Sequence, residues 1–283
     1  MGRADLHTHT KASDGELSAQ ELLVKVKSKG LSVLAITDHD TIDGYTEALQ
    51  HAEKMGIELI PGVELSTIWG KKEIHLLAYG FDPDHSALKQ LLLMQRRARK
   101  LRMREIVKLL NKKGVDIEYD EVMAYARSAN IGRPHAAAVL IKKGYAVNVA
   151  DAFIKYLATH EVVNIPTEYA DVDSALRIIK KAGGVLSVAH PGVMLTTEEL
   201  KELISTGIDG IECIHPSHNF NVQKVFSEMA KSMNLLITGG SDYHGSPKSE
   251  YDPYLGVVTI GTQHVEALKR TCKNRKALLK NSS

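Results

Sequence analysis

The sequence RADLHTHT, residues 3–10, sets a pattern that recurs along the chain. A short strand-forming run ends in two histidines, and a helical pattern follows from Ser18. The spacing of Ser18 and Glu21 predicts a capping box at the start of that helix, and Gly30 predicts its end. A strand followed by a helix is one βα unit. A series of such units forms a parallel sheet that is either doubly wound or closed into a barrel.

The same alternation continues outward from this first unit. Further apolar or β-branched runs predict strands at VLAIT (33–37), IELIPGVELS (57–66), EIHLLAYG (73–80), VLSVAH (185–190), GIECIH (210–215) and LLITGGSD (235–242). A turn at Trp69 and Gly70 pairs the second and third of these runs. Helical patterns occupy a segment that ends at Met55, residues 173–182, a segment capped by Thr196 and Glu199, and residues 219–233.

The middle of the chain differs because it carries helical patterns and no convincing strand. The predicted helices cover residues 86–113, 119–128, 134–143 and 149–158. An all-helical block between two βα blocks indicates an insertion that forms a cap over one end of the sheet. We therefore expect a βα domain in two parts, 1–90 and 166–283, which the family resemblance described below makes a barrel, and an inserted helical domain at 91–165.

Composition excludes several classes of protein. The 283 residues are 43% hydrophobic and 25% charged, which excludes wholesale disorder. A formal net charge of +2 is too small for a protein that coats polyanions. The two cysteines, Cys213 and Cys272, have neither zinc-binding nor redox-pair spacing. No apolar run approaches the ~20 residues of a membrane span. Nothing near Met1 resembles a signal peptide, so a cytoplasmic setting is expected.

Histidines and acids are concentrated at the ends of the predicted strands. The residues at or just after these ends are His7, His9, Asp38, His39, Asp40, Glu64, His75, His190, His215, Asp242 and His244, with Asp14 in the first loop. A single histidine is usually a packed or surface residue. Seven successive strand ends with such side chains favour a metal site instead, because the carboxyl ends of barrel strands meet at one face.

Imidazoles together with carboxylates suit Zn, Fe or Mn. The set is too large for one ion, so two or three are expected. Two ions roughly 3.5–4 Å apart clamp the attacking and leaving oxygens in phosphoryl displacement. The pattern therefore indicates hydrolysis of a phosphate ester.

Five motifs, in order, resemble those of the PHP (polymerase and histidinol phosphatase) metal-dependent phosphoesterases. They are DLHTHT (5–10), ITDHDT (36–41), PGVELS (61–66), VAHPG (188–192) and GSDYHG (240–245). The resemblance implies an α/β fold, a distorted seven-stranded β/α barrel with an inserted all-helical cap domain, and three divalent metal ions. The insertion length and IGRPHAA (131–137) most resemble the branch of 3′,5′-nucleotide bisphosphate phosphatases and 5′→3′ exoribonucleases.

Transferred residue by residue, the family pattern implies three metal sites. These are His7, His9, Asp242 and a bridging Glu64; Asp14, His39 and His244; and His75 and His190, which share Glu64. Some family members have His at the position of Asp14, so the second site is harder here and favours Mn. Asp38 is interpreted as a group that orients a ligand imidazole. Asp40 is open to either role, and we favour the orienting one.

Other polar residues are candidates to contact substrate. Arg133 and His135 either belong to a capped helix start or bind a substrate phosphate, which the guanidinium would hold bidentately. Ser217 and His218 follow a strand end and are candidates to contact phosphate, with His218 as the acid that protonates the leaving oxygen. No ligand role is assigned to His215, which is expected to pack.

Residues 96–113 carry nine basic side chains and a single acid, Glu105. The run is either a solvated helix face, with Leu101 and Leu109 on the apolar side, or a funnel that neutralises RNA backbone phosphates. It contains no aromatic residue on which bases could stack. That absence favours small nucleotides or short oligomers over long strands.

We therefore expect a metal-dependent phosphohydrolase whose substrate is a nucleotide or short oligonucleotide, with no obligatory protein partner. The resemblance implies a nucleoside 3′,5′-bisphosphate that loses its 3′-phosphate, or a 5′-phosphorylated RNA end. The alternatives are a histidinol-phosphatase-like enzyme and a non-catalytic nucleic-acid-binding module with a structural metal site. The chain has no G-x-x-x-x-G-K-[ST] loop and no G-x-S-x-G elbow, which disfavours an ATP-driven machine and a serine hydrolase.

Overall fold

A computed structural model describes residues 2–126, 130–245 and 252–281. Strands and helices alternate through both ends of the chain. The strands are β1 (Arg3–Asp5), β2 (Val33–Ala35), β3 (Glu58–Ile60), β4 (Gly62–Trp69), β5 (Lys72–Tyr79), β6 (Val185–Val188), β7 (Gly210–Ile214), β8 (Leu236–Gly239) and β9 (Ile260–Gly261). The helices are α1 (Ala19–Ser28), α2 (Asp43–Ala52), α3 (Ser86–Lys112), α4 (Tyr119–Ala126), α5 (Arg133–Lys142), α6 (Val149–Ala152), α7 (His160–Val163), α8 (Val172–Lys181), α9 (Thr197–Ser205), α10 (Phe220–Ser232) and α11 (Thr262–Asn281).

The strands form two sheets, ordered β3-β2-β1-β9 and β4-β5-β6-β7-β8. Backbone hydrogen bonds connect the sheets on two sides. The amide of Leu6 donates to the carbonyl of Gly239 at 3.2 Å, and the amide of Glu64 donates to that of Thr37 at 3.1 Å. Both connections lie at or next to strand ends that carry the predicted ligand residues.

The expectation of a seven-stranded barrel is corrected in strand number, strand direction and closure, because the strands form two open sheets. The described residues contain nine strands in two sheets, and three strand pairs are antiparallel. The predicted strand at 57–66 splits into β3 and β4 at Pro61, which cannot donate a hydrogen bond to a neighbouring strand. The tight turn at Gly70, with φ 60°, reverses the chain and makes β4 and β5 an antiparallel hairpin.

The helix starts follow local sequence signals. Ser18 and Glu21 form the predicted reciprocal capping box at α1, and Thr196 and Glu199 form another at α9. The main apolar core lies between the five-stranded sheet and helices α3, α8, α9 and α10. This core fixes the strands whose ends form the site.

Between residues 86 and 163 the described chain forms helices and turns and no strand. The predicted helices at 86–113 and 134–143 correspond to α3 and α5. The one at 149–158 is instead the short α6 followed by a π-helical turn at Phe153–Leu157. Residues 127–128 of the predicted helix 119–128 lie outside the described residues. The segment has an apolar core of its own.

The helices and the two cysteines of the described residues bear on membrane crossing and on disulfide formation. In the described ranges, no helix combines the length and apolar character that a membrane crossing needs. Cys213 and Cys272 are both buried free thiols.

Candidate metal centre

Glu64 lies at the centre of the site and is almost completely buried. Five imidazole nitrogens lie within 3.3 Å of its two carboxylate oxygens. They belong to His7, His9 and His39 at Oε2 (3.2, 3.3 and 3.3 Å) and to His75 and His190 at Oε1 (2.9 and 3.1 Å). The two oxygens thus face different sets of imidazoles, as in a carboxylate that bridges two ions.

Two aspartates complete the acidic part of the site. Oδ1 of Asp242 lies 3.2 Å from Nε2 of both His7 and His9. Asp14 lies 3.7 Å from Nε2 of His39 and 3.5 Å from Nε2 of His244. All nine residues predicted as metal ligands therefore lie in one cluster: His7, His9, Asp14, His39, Glu64, His75, His190, Asp242 and His244.

Four overlapping groups have potential ligand atoms within 4.8 Å of one another. They are His9, Asp14, His39 and His244; His7, His215 and Asp242; His7, His9 and Glu64; and His39, Glu64 and His75. His215, to which no ligand role was assigned, joins one group, with its Nε2 3.4 Å from Oδ2 of Asp242. Its Nδ1 lies 2.7 Å from Oγ of Ser217, so that hydroxyl is directed to an imidazole.

The donor atoms fit divalent ions. Buried ring nitrogens of His9, His39, His75 and His190 make no hydrogen bond, and burying such atoms without a partner costs free energy. Nitrogen and oxygen ligands bind transition metals at about 2.1 Å, so two ligands of one ion stand roughly 3 Å apart or more. The nitrogen–oxygen separations around Glu64 and Asp242 have this size.

The charges within the cluster shift the pKa values of its members. Burial opposes protonation of His9, but the nearby carboxylates of Asp242 and Glu64 outweigh it and raise the pKa of His9 to about 10. Burial of His75 is likewise outweighed by the charge of Glu64, which raises the pKa of His75 to about 9. Burial would raise the pKa of Glu64, but the surrounding imidazoles hold it well below its usual value. The site therefore attracts positive charge.

We expect metal binding to release protons and to weaken as the pH falls. His9 and His75, with raised pKa values of about 10 and about 9, are protonated at neutral pH before metal is added. Because a cation binds only unprotonated imidazole, loading must displace these protons, and affinity should rise with pH up to about 10. Titrating metal-depleted protein with MnCl₂ in weak buffer measures the release. Substitution of His51, on α2 outside the cluster, should leave the proton release unchanged. No proton release at pH 7 would contradict the assignment of His9 and His75 as metal ligands.

Asp38 forms hydrogen bonds with the loop after β1 and not with an imidazole. It accepts hydrogen bonds from the amide of Thr10 (2.7 Å) and the hydroxyl of Ser13 (2.6 Å). These contacts fix the loop that leads to Asp14. That Asp38 orients a ligand, here through the backbone of this loop, stays a prediction.

Asp40 faces helix α3 and not the imidazoles. Its Oδ2 accepts a hydrogen bond from Nε of Arg99 at 2.5 Å, and its Oδ1 accepts one from the amide of Ser66 at 2.9 Å. The backbone of Asp40 has φ 51°, a left-handed conformation that is uncommon outside glycine. Asp40 therefore fastens α3 beside His39, and it does not contribute a ligand in this arrangement.

Sequence reasoning missed two buried carboxylates, Glu212 and Asp5. Glu212 accepts hydrogen bonds from Nδ1 of His7 (2.8 Å) and the amide of His190 (2.7 Å). Asp5 accepts from the amide and hydroxyl of Ser241, at 3.0 and 2.6 Å. A signal was available for Glu212, because an acid inside the apolar run GIECI needs a buried partner.

The basic run fits neither of its two interpretations completely. Arg99 and Arg102 are buried, and Nη1 of Arg102 lies 2.5 Å from Oε2 of Glu73. Leu101, expected on the apolar side, is 41% exposed because α3 turns its arginines inward at this point. The inner face of α3 thus brings positive charge to the metal centre.

A cavity of about 320 Å³ connects the metal cluster with the helical segment. Its helical wall includes Arg99, Arg102, Met103, Ile106, Arg133 and Phe153. Arg133 lies with its guanidinium 5.8 Å from the ring centre of Phe153. Within the described residues, this guanidinium has no hydrogen bond or ion pair, whereas Arg99 and Arg102 are both paired.

His135 and His218 are held by backbone groups and do not line this cavity. Nδ1 of His135 accepts a hydrogen bond from the amide of Gly132 at 2.9 Å, in agreement with the helix-start interpretation. The amide of Gly192 donates to Nε2 of His218 at 3.1 Å, and Nδ1 of His218 lies 3.2 Å from the carbonyl of Cys213. The arrangement leaves His218 no ring nitrogen with which to protonate a leaving group.

The sequence of this chain is similar to those of known proteins over most of its length. The model of the PHP domain family matches residues 5–148. A 5′-3′ exoribonuclease of Haemophilus influenzae is 37% identical over 245 residues, which cover 85% of this chain and 89% of that protein. A 3′,5′-nucleoside bisphosphate phosphatase of Chromobacterium violaceum is 31% identical over 279 residues, with 96% and 95% covered.

A solved structure from Bifidobacterium adolescentis, described as a metal-dependent phosphoesterase, has a TM-score of 0.84 at 30% identity. The similarity covers 95% of this chain and 96% of that one. The expected mixed α/β fold and the class of metal-dependent phosphohydrolase are thereby confirmed. With its five ordered motifs and its cluster of imidazoles and carboxylates, this chain belongs to the PHP domain family.

Proposed function

We propose that this chain hydrolyses phosphate monoesters of nucleotides, with nucleoside 3′,5′-bisphosphates as the main substrate class. Short 5′-phosphorylated RNA is the second class, and there the bond cleaved would be the first internucleotide phosphodiester at the 5′ end. The observation that carries the proposal is Arg133, which has no hydrogen bond or ion pair among the described residues and lies in the same cavity as the candidate ligands. The names of the two curated relatives described above support both substrate classes.

In this proposal three divalent ions, Mn, Fe or Zn, occupy the centre. The ligand sets are His7, His9, Asp242 and Glu64; Asp14, His39 and His244; and His75, His190 and Glu64. Bound ions would supply a water with a pKa near 7 and would neutralise charge on the phosphoryl oxygens. His215 is a candidate additional ligand because of its distance to Asp242.

The chain's own residues would hold the substrate on the side of the helical segment. The planar guanidinium of Arg133 suits bidentate contact with a phosphate that is not cleaved. Arg99 and Arg102 add positive charge, although Asp40 and Glu73 neutralise part of it. The apolar residues of the cavity, Met103, Ile106 and Phe153, would accommodate a base.

The helical segment would then act as a cap domain, residues 91–165, over the two-part barrel, 1–90 and 166–283. Its contribution of Arg133 and the apolar wall to the cavity supports this division. A substrate enclosed between cap and metals would be limited in length. This limit favours nucleotides and RNA ends over the interior of long strands.

A phosphate-release assay on purified, manganese-loaded protein tests the substrate class. We expect 3′-phosphoadenosine 5′-phosphate to have a higher kcat/KM than 3′-AMP, which lacks the anchoring 5′-phosphate. Histidinol phosphate, the alternative substrate, should be poorer than both. A preference for histidinol phosphate would overturn the proposal. Tight RNA binding without any phosphate release would favour the non-catalytic module.

Substitution Arg133→Ala should raise KM for 3′-phosphoadenosine 5′-phosphate by roughly 10–100-fold, because hydrogen bonds to charged groups contribute about 1.5–3 kcal/mol. KM for 3′-AMP should change little, since that nucleotide has no 5′-phosphate to anchor. Arg133→Lys should recover part of the lost affinity, because lysine keeps the positive charge but lacks the paired N–H donors of the guanidinium. Steady-state kinetics on both nucleotides measures the difference, and an unchanged KM for the bisphosphate would remove Arg133 from the site.

A further inference from the structure

Glu212 is a fully buried acid in the middle of strand β7. Its neighbours Ile211 and Cys213 belong to the apolar core, so alternation along the strand turns Glu212 to the opposite face. There its Oε1 accepts a hydrogen bond from Nδ1 of His7 at 2.8 Å, and its Oε2 accepts one from the amide of His190 at 2.7 Å. One carboxylate thus touches two candidate ligands.

These two histidines contact different carboxylate oxygens of Glu64, the candidate bridging residue. Nε2 of His7 lies 3.2 Å from Oε2 of Glu64, and Nε2 of His190 lies 3.1 Å from Oε1. The two rings stack with centroids 5.8 Å apart and planes inclined by 22°. Glu212 contacts both histidines away from these Nε2 atoms, at the opposite ring nitrogen of His7 and at the backbone of His190.

The backbone of His190 needs such support. Its φ of 28° and ψ of 51° place a non-glycine residue in the left-handed region, which is unfavourable for a side chain with a Cβ atom. The amide that donates to Glu212 belongs to this same residue. The carboxylate therefore holds the turn that aims the His190 ring at Glu64.

We propose that Glu212 is a positioning residue that orients the metal ligands on both sides of Glu64 at once. Its bond to Nδ1 of His7 keeps a proton there and leaves Nε2 as the nitrogen that binds metal. Its bond to the amide of His190 sets the direction of the second ring. The inference rests on the proposed function only in taking these side chains as metal ligands.

Substitution Glu212→Gln tests the proposal through metal content. The amide keeps one acceptor oxygen, so one of the two hydrogen bonds must be lost, and a donor then faces a donor. We expect metal affinity to fall by about 10–100-fold. Equilibrium dialysis against fixed free Mn²⁺, followed by elemental analysis, measures ions bound per chain without any substrate.

A matched control is available at the start of the same strand. Asp209 forms an ion pair with Arg275 at 2.7 Å and contacts no candidate ligand. Asp209→Asn should lower thermal stability and leave the number of bound ions unchanged. Wild-type metal affinity in Glu212→Gln, with only lowered stability, would overturn the proposal.

A second measurement does not depend on any variant folding. In zinc-loaded wild-type protein, ¹⁵N NMR should show His7 with its ring proton on Nδ1 and its metal on Nε2. A His7 that binds zinc through Nδ1 would overturn the proposal. Loss of metal in Glu212→Gln together with no turnover of any nucleotide by the wild type would instead uphold Glu212 and reject the proposed substrate.

Discussion

Glu64→Gln is expected to abolish phosphate release and to remove at least one bound ion while the fold remains. Both oxygens of Glu64 face imidazoles, three at Oε2 and two at Oε1. The amide replaces one oxygen by an NH₂ group, which cannot bind a cation and donates towards nitrogens that need a metal. Charge stabilisation by bound ions is worth several kcal/mol, so turnover should fall on the order of 10³-fold or more.

Two measurements separate this effect from unfolding. Elemental analysis should show fewer ions per chain, and far-UV circular dichroism should match that of the wild type. Glu58→Gln, on β3 and paired with Lys269 at the surface, serves as the control and should keep both activity and metal. A Glu64→Gln protein with wild-type metal content and turnover would rule out the bridging role.

Most of the candidate ligands could be predicted from the sequence because they follow strand ends, whereas Glu64 and His75 lie inside β4 and β5. DLHTHT, ITDHDT and GSDYHG are contiguous motifs, and each places its ligands directly after a short apolar strand. A parallel arrangement then brings those ends together whatever the number of strands. The cluster therefore forms even though nine strands in two sheets replace the expected seven-stranded barrel.

The partners of the ligands could not be predicted in the same way, because they depend on contacts between distant parts of the chain. Glu212 lies 205 positions from His7, and Arg99 lies 59 positions from Asp40. Neither pair has a local signal that names its partner. The backbone contacts of His135 and His218 could not be predicted for a related reason, since a backbone group near each ring occupies one of its nitrogens.

The contact between Arg99 and Asp40 is the second place where a large effect is expected. Both side chains are buried, and their charged atoms lie 2.5 Å apart. Burial opposes the charged form of Arg99, but the charge of Asp40 outweighs it and raises the pKa of Arg99 above its usual range. Removing one partner leaves an uncompensated charge on a buried side chain.

Asp40→Ala should therefore lower the free energy of unfolding by about 3–5 kcal/mol. The same helix offers a matched control one turn earlier, where Arg96 pairs with Asp43, whose side chain is 57% exposed. Asp43→Ala should cost no more than about 1 kcal/mol, because water and salt screen an exposed pair. Urea denaturation of both variants measures the difference. Equal losses would show that breaking the buried pair costs no more stability than breaking the exposed one.

Combining Asp40→Ala with Arg99→Met shows whether the loss of stability comes from the unpaired charge of Arg99 or from another lost contact of Asp40. If the cost of Asp40→Ala comes from the unpaired guanidinium, removing that guanidinium as well should recover most of the stability. If the double variant is as unstable as the single one, the loss comes instead from the hydrogen bond between Asp40 and the amide of Ser66. Because Asp40 follows His39 and Ser66 lies two residues from Glu64, the outcome shows whether the contact of Asp40 with α3 or its contact with β4 stabilises this side of the metal centre.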